Sequence, residues 1–383
     1  MMSSTEQPSS PPSAGVLAAS ANPRASLGQS LDSQLFEKSI LTSRRWIMVM
    51  MILSGSAMVA AFWCLQFGAQ YVGVSEMLRM VVQAALGTDH PAASDPTTTI
   101  LLHVRLPRVF LGFLVGSCLA SVGVALQSLL RNPLADPYVL GVSSGAALGV
   151  AAAVLFGVGT SVLAVSTLPL CGLGGGLVAL LVVYRMAATY DRLPIYSVLL
   201  AGVILNAIFS ALIMFVTSIM DPNRSFGMMV WLMGSLTAPA YPALVVFSLY
   251  LIVGLGLLLR QMTVLNIMAF GEEPARSLGV DTARATRYIF VVSALITGAV
   301  VSVSGMIGFI GMVVPHAIRL IVGADHRLLL PASAVVGGTF LMVADTLART
   351  VLSPSELPVG ILTALAGGPF FIYLLVWRKD RMS

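Results

Sequence analysis

Acid, base and thiol chemistry have little to work with in this chain. Only 10% of its 383 residues are charged, against about 25% in a soluble globular domain. The four histidines, His90, His103, His316 and His326, show no HxxxH spacing, and no Ser-His-Asp arrangement stands out. No residue set gathers in a pattern for hydrolysis, redox work or metal ligation. We expect no catalytic residue and no metal site, so the chain is read as something other than an enzyme. Cys64, Cys118 and Cys171 lie far apart inside apolar runs and read as small hydrophobes in helix packing.

Lysine is scarcer still. Lys38 follows Glu37 and Lys379 precedes Asp380, and there is no other. A P-loop needs GxxxxGK[ST], because its lysine and backbone amides hold the phosphates, so this chain has none. If ATP powers it, ATP and Mg must sit on another polypeptide. Ion-coupled transport uses buried ionisable groups in the spans, and the acids here lie mostly in loops. Asp345 is the exception, and Arg349 is placed four residues on to neutralise it. The net charge of +5 does not point to nucleic acid, since in a membrane chain basic residues mostly set topology.

What the chain has instead is apolar length: 57% hydrophobic residues and a mean hydropathy of +0.93. A span needs about 20 apolar residues to cross a ~30 Å core. Ten runs qualify: Trp46–Leu65, Leu106–Leu130, Tyr138–Gly157, Ser161–Tyr184, Tyr196–Ile219, Tyr241–Leu259, Ala285–Val303, Ile307–Val322, Leu328–Thr350 and Val359–Trp377. They are continuous rather than alternating, which excludes a barrel. The expected fold is all-α, a polytopic bundle of about ten transmembrane helices over residues 46–383. Residues 1–45 form an N-terminal tail, expected to be disordered and cytoplasmic. Its Ser, Pro and Ala cannot bury enough surface to offset ordering entropy.

Charge sets the orientation. With ten alternating spans and the N-terminus inside, sixteen of the 21 basic residues fall on the cytoplasmic side and five, including Arg105, Arg108 and Arg349, on the other. That is the direction of the positive-inside rule, and it places both termini inside. Small residues at spacing four (Gly112 and Gly116; Gly141, Gly145 and Gly149) and at spacing three (Gly305, Gly308 and Gly311) predict close helix packing.

Three polar stretches interrupt the apolar runs. "RLPR", Arg105–Arg108, opens the second run with two arginines on one side of a helix start. Cations are disfavoured there by the helix dipole, which suggests a partner outside, or snorkelling to lipid. "RNPLADP", Arg131–Pro137, cannot continue a helix through Pro133 and Pro137, and Asn132 and Asp136 supply turn and cap chemistry. "GEEPARSLGVD", Gly271–Asp281, carries four charges in eleven residues. Pro274 fits a first helical turn, Glu272 and Glu273 suit its positive end, Gly279 is a C-terminal stop and Asp281 caps the next helix. This predicts a short helix across the cytoplasmic ends of two spans. Ala275 and Leu278 are expected to form an apolar knob on one side, rimmed by charge and suited to a groove on another protein.

In order along the chain, "RLPRVFLGFLVGSCLASVGVALQSLLRNPLADPYVLGVSSGAALG", "VLLAGVILNAIFSALI", "VWLMGSL", "GEEPARSLGVD", "GMIGFIGMVVPHAIRL" and "ELPVGILTALAGGPFFIYLL" resemble the FecCD family. Its members are permease subunits of bacterial ATP-driven importers for ferric siderophores, haem and vitamin B12. The resemblance covers Arg105 to Trp377 and leaves the tail outside. It implies a fold like the vitamin B12 importer permease and a homodimer in the inner membrane. It further implies two separate ABC ATPase subunits inside, and a periplasmic or lipid-anchored binding protein outside. By the same resemblance Glu272, Glu273, Pro274, Ala275, Arg276, Leu278, Gly279, Val280 and Asp281 form the ATPase-coupling element, and Arg105, Arg108 and Arg349 meet acidic residues of the binding protein. Asn132 and Pro133 fall at the inner gate, and Asn206 and Gly360 flank the pathway. Iron chelates are the expected cargo, with haem or cobalamin as the alternative; a stand-alone ion-coupled transporter is the reading from another class.

Overall fold

The computed structural model describes residues 41–68, 72–77, 79, 82, 96–158, 161–162, 165–188 and 194–377. The expected tail lies outside these residues as far as position 40. In chain order the helices are α1 (Ser43–Gln66), α2 (Pro96–Leu129), α3 (Val142–Leu155), α4 (Thr167–Ala187), α5 (Ile195–Ser218), α6 (Pro222–Leu232) and α7 (Tyr241–Leu259). There follow α8 (Met262–Met268), α9 (Glu272–Ser277), α10 (Thr282–Ser304), α11 (Ile310–Val322), α12 (His326–Thr350) and α13 (Val359–Trp377). A two-residue antiparallel pairing of Ser161–Val162 with Val165–Ser166 precedes α4.

Seven helices (α1, α2, α4, α5, α7, α10 and α12) are long and apolar enough to cross a membrane, and α3, α11 and α13 are shorter apolar helices. These ten coincide with the ten runs expected from sequence. Between them α6, α8 and α9 are too short to span. Helix α6 starts as its sequence dictates: Asp221 accepts from Asn223 N at 3.0 Å, and Pro222 takes the first turn, where a missing N–H costs nothing.

The bundle is built around α2. Its apolar window is 89% buried, against 11% for α1, as expected of a helix that is hydrophobic on every side. It packs against α12, α11, α10 and α7. Glycines set the closest crossings: a methyl group at Gly116 would collide with Gly337 O, and one at Gly123 with Gly311 O. Lipid supplies no hydrophobic push between helices, so such close approach provides the packing. Gly145 and Gly149 serve α3 against α4 in the same way. The triplet at spacing three behaves otherwise. Gly305 (φ 65°) and Gly308 lie in an unwound break between α10 and α11; Gly305 lies against Trp231 O of α6, Gly308 faces open space, and Gly311 packs on α2. Irregular backbone is tolerated at membrane depth where protein satisfies it. Here Ser235 N donates to Ser304 O at 2.9 Å, and Ile307 N donates to the Tyr138 hydroxyl.

Two of the prolines inside helices are treated alike. Pro331 cannot donate to Arg327 O, and the Trp46 indole of α1 donates to it instead at 3.0 Å. Pro315 leaves Gly311 O without its usual donor. The Gln127 amide of α2 lies 3.4 Å from that oxygen and 3.1 Å from Met312 O.

Candidate functional site

The sequence-nominated residues gather at the two ends of the bundle. One end holds α8, α9 and the start of α10. Helix α9 begins at Gly271 (φ 125°), carries Glu272 and Glu273 in its first turn and stops at Leu278. Val280 N donates to Ala275 O at 3.0 Å and Gly279 N to Arg276 O at 2.9 Å, with Gly279 at φ 83°. This is the Schellman closure, which needs a residue free to adopt a left-handed conformation. Asp281 then caps α10 by accepting from Arg284 N at 3.0 Å. Arg276 pairs with Glu272 at 3.3 Å and donates to Thr282 Oγ1 at 3.0 Å, which fixes the short helix on the start of α10.

The expected apolar knob needs correction. Ala275 is fully buried beneath α9, where the helix packs on α8 and α10, whereas Leu278 is 68% exposed. Leu278 is the capping residue, outside the helical arc, so the three-residue spacing does not place the two side chains together. The exposed apolar groups are Leu278 and Phe270 (80%), which flank the helix in sequence.

At this same end lies the Arg131–Pro137 loop. Asn132 Oδ1 accepts from Leu134 N at 2.9 Å, and Asp136 accepts from Tyr138 N at 2.9 Å to cap the short 3-10 turn Pro137–Leu140. Burial pushes the Asp136 carboxyl up to about 6, against the opposing pull of the Tyr138 N–H. A cleft of about 730 Å³ joins this loop to α9: Arg131 and Asn132 form one wall, Tyr196 of α5 another, and Glu272, Arg276 and Thr282 a third. Residues from two distant motifs thus share one cavity. Pro133 is exposed beside it.

The opposite end holds the arginines, and here the structure departs from the expectation of outward-facing groups. Arg105, Arg108 and Arg349 are 2%, 8% and 7% exposed. Arg108 forms a two-pronged contact with Asp345, Nε to Oδ2 at 2.9 Å and Nη2 to Oδ1 at 3.0 Å, and reaches Glu356 at 2.9 Å. Arg349 donates to Cys64 O at 3.1 Å and stands 4.0 Å from Asp345, so the close partner of Asp345 is Arg108 and not the neighbour four residues on. Arg105 donates to Leu65 O and Gln66 O at 3.0 and 3.1 Å. Nor do Arg105 and Arg108 open a helix. The chain is helical from Pro96, with a π segment at Ile100–Arg105 in which Leu106 N donates to Leu101 O. That wider turn lies just before Pro107, so the apolar run that begins at Leu106 does not mark the start of the helix.

Asn206 is half-buried on α5. Gly360 opens α13 against Met233 O, which leaves no room for a side chain. A polar network that the motifs did not reveal links α8 to α2 and α12. Asn266 Oδ1 accepts from His326 N at 2.8 Å and meets His326 Nδ1 at 2.7 Å, while its Nδ2 donates to Asp325 at 2.7 Å. His326 Nε2 touches Ser128 Oγ. The one signal for it was a lone polar residue inside the apolar "TVLNIMAF".

Comparison with known proteins fits this architecture. The chain is 43% identical over 288 residues to the cobalamin import system permease protein BtuC of Halobacterium salinarum, covering 75% of this chain and 76% of that one. It is 40% identical over 292 residues to the hemin transport system permease protein HmuU of Yersinia pestis, covering 76% and 87%. A solved structure described as an inward-facing conformation of a metal-chelate type ABC transporter superposes with a TM-score of 0.72 at 31% identity, over 86% of this chain and 99% of that one. Residues 43–377 match the sequence model of the FecCD transport family, and the chain therefore belongs to that family of multi-pass ABC transporter permeases.

Proposed function

We propose that this chain is the membrane subunit of an ATP-driven importer that carries an iron chelate, of the ferric siderophore class, across the bacterial inner membrane. The observation that carries the reading is α9: a capped helix with uncovered Leu278 and Phe270 beside it, in a chain without a P-loop. Two ABC ATPase subunits, which hold ATP and Mg, dock there. The sixteen-to-five distribution of basic residues supports a cytoplasmic position for that end and for both termini. A second copy of the chain completes the pathway, with Asn206 of α5 and Gly360 of α13 beside it and Asn132 and Pro133 at the inner gate. ATP binding moves α9, and the bundle alternates between states that differ in affinity for cargo.

A periplasmic or lipid-anchored binding protein docks at the opposite end. The buried guanidinium groups do not reach it directly. Arg105, Arg108 and Arg349 outnumber the adjacent Asp345 and Glu356 by one charge, while Arg79 and Arg224 are set against Glu76, Asp89, Asp95 and Asp221 elsewhere in the segments assigned to that side, which as a whole carries five basic and six acidic residues. Any pull on an acidic partner is therefore local to the arginine cluster and short-ranged. The names of the haem and cobalamin relatives support either of those chelates as the alternative cargo.

Proteoliposomes holding the permease, its ATPase subunits and its binding protein, offered ferric siderophore, haem and cobalamin separately, test this. ATP-dependent uptake of the siderophore is the expected result. Uptake driven by an ion gradient without ATP rejects the importer. Leu278→Asp, which places a charge in the docking contact, is expected to abolish stimulation of ATP hydrolysis by the permease; wild-type stimulation removes the docking role.

A further inference from the structure

The importer reading requires that movement at α9 reach the gate, and α9 does not touch the gate loop through any hydrogen bond described above. The network around His326 offers a route. Helix α8 runs directly into α9 and packs against both α2 and α12. Its Asn266 is oriented without ambiguity: Oδ1 must accept from the His326 backbone N–H at 2.8 Å, so Nδ2 faces Asp325 at 2.7 Å. His326 Nδ1, 2.7 Å from that same Oδ1, must then carry a proton and donate it. In the neutral ring Nε2 is left as an acceptor, and the Ser128 hydroxyl in contact with it is the only donor it meets among the described hydrogen bonds, its single proton shared between Nε2 and Val124 O at 2.9 Å. His326 and Ser128 are 3% and 6% exposed, so water does not compete for these bonds.

Ser128 stands at the last turn of α2, where its carbonyl accepts from Arg131 N at 3.4 Å, and Gln127 O accepts from Asn132 N at 3.1 Å. Asp325 also caps α12 by accepting from Arg327 N at 2.9 Å. Hydrogen bonds thus run from α8 through His326 of α12 to the Ser128 side chain, and the backbone carbonyls of Ser128 and its neighbour Gln127 hold the turn that presents Asn132. We propose that Asn266, His326 and Ser128 are positioning residues that make the Asn132 loop follow the α8–α9 element. This rests on the importer reading and deepens it. Leu265 and Met268 already anchor α8 in the apolar core. Stability therefore does not depend on the polar chain alone, and its directional bonds fix the register between α8 and α2.

The test follows the two ends of this chain separately. On a Cys171→Ala background, with Cys64 and Cys118 buried, Phe270→Cys reports the α8–α9 element and Leu134→Cys reports the gate loop. Maleimide labelling rates are measured in lipid nanodiscs, on the permease bound to its ATPase subunits, with and without a non-hydrolysable ATP analogue. Both positions are expected to respond to nucleotide in the parent. In Ser128→Ala, which removes a single oxygen, and in Asn266→Leu, the Leu134→Cys response is expected to shrink about fivefold or more while the Phe270→Cys response persists. Ser128→Thr, which keeps the hydroxyl, restores it. A Leu134→Cys response unchanged in both variants overturns the proposal. So does loss of both responses with a lowered thermal midpoint, the mark of a merely structural tie. A parent in which neither cysteine responds rejects the importer reading itself, and the proposal with it.

Discussion

The two ends of this bundle use charge in opposite ways. At one, Arg108, Asp345 and Arg349 are buried and held by each other and by backbone carbonyls. At the other, Arg276 with Glu272 and Arg284 with Asp281 are ion pairs whose side chains are about half exposed or more. A buried ion pair punishes the loss of one partner far more than it rewards its presence. An exposed pair does neither to any extent. The first arrangement fixes helices against one another. The second leaves a surface that can be covered and uncovered, as a docking site must be.

The sharpest way to break this comparison is Asp345→Asn. It leaves Arg108 and Arg349 without their shared buried counter-charge and is expected to cost about 3–5 kcal/mol, read as a lowered thermal midpoint in detergent or as loss of folded protein. A stability change under about 0.5 kcal/mol would erase the distinction between the ends. At the other end Gly279→Ala forces a side chain into φ 83° and is expected to cost about 1 kcal/mol. It also loosens the Schellman closure, seen as faster amide exchange at Val280. Leu278→Asp, the substitution that severs docking, is expected to change stability by no more than about 0.5 kcal/mol, because the side chain touches water already. Smallest of all, Glu272→Gln removes a half-exposed pair and is expected to shift the midpoint by the equivalent of about 0.3 kcal/mol, falling further with added salt.

The bundle was legible because apolar length is a one-dimensional signal: ten runs, ten helices. The cap grammar of α9 was equally local, since Gly271, Pro274, Gly279 and Asp281 each act within a few residues. What escaped was long-range. Arg108 and Asp345 are 237 positions apart, so nothing in "RLPR" could tell a guanidinium facing a partner from one facing its own chain. The second run reads as starting at Leu106 because the π turn before it has no signature of its own in the sequence. Ala275 and Leu278 were separated by the last residue of a six-residue helix, where a shift of one position decides which side chain leaves the arc. Helix α6 is signalled by Asp221-Pro222, but at 11 residues it is too short to stand out among the spans. Asn266 was visible as a polar residue among apolar ones, but its partners arrive some 60 positions later.

The Trp46 indole and Arg327 O are separated by 281 positions. Span α1 therefore leaves the ribosome with a donor whose acceptor has not yet been made, and only 11% of its apolar window is covered by the finished chain. Until α12 is inserted, α1 is tied to α2 at its far end, where Arg105 reaches Leu65 O and Gln66 O, and its indole is unanswered. Its final seat is set late, by a proline near the start of α12. Biogenesis of this permease thus reaches back along the chain: the indole at the start of α1 is answered only when α12 arrives, and a chain truncated before Arg327 should leave Trp46 more open to an aqueous fluorescence quencher.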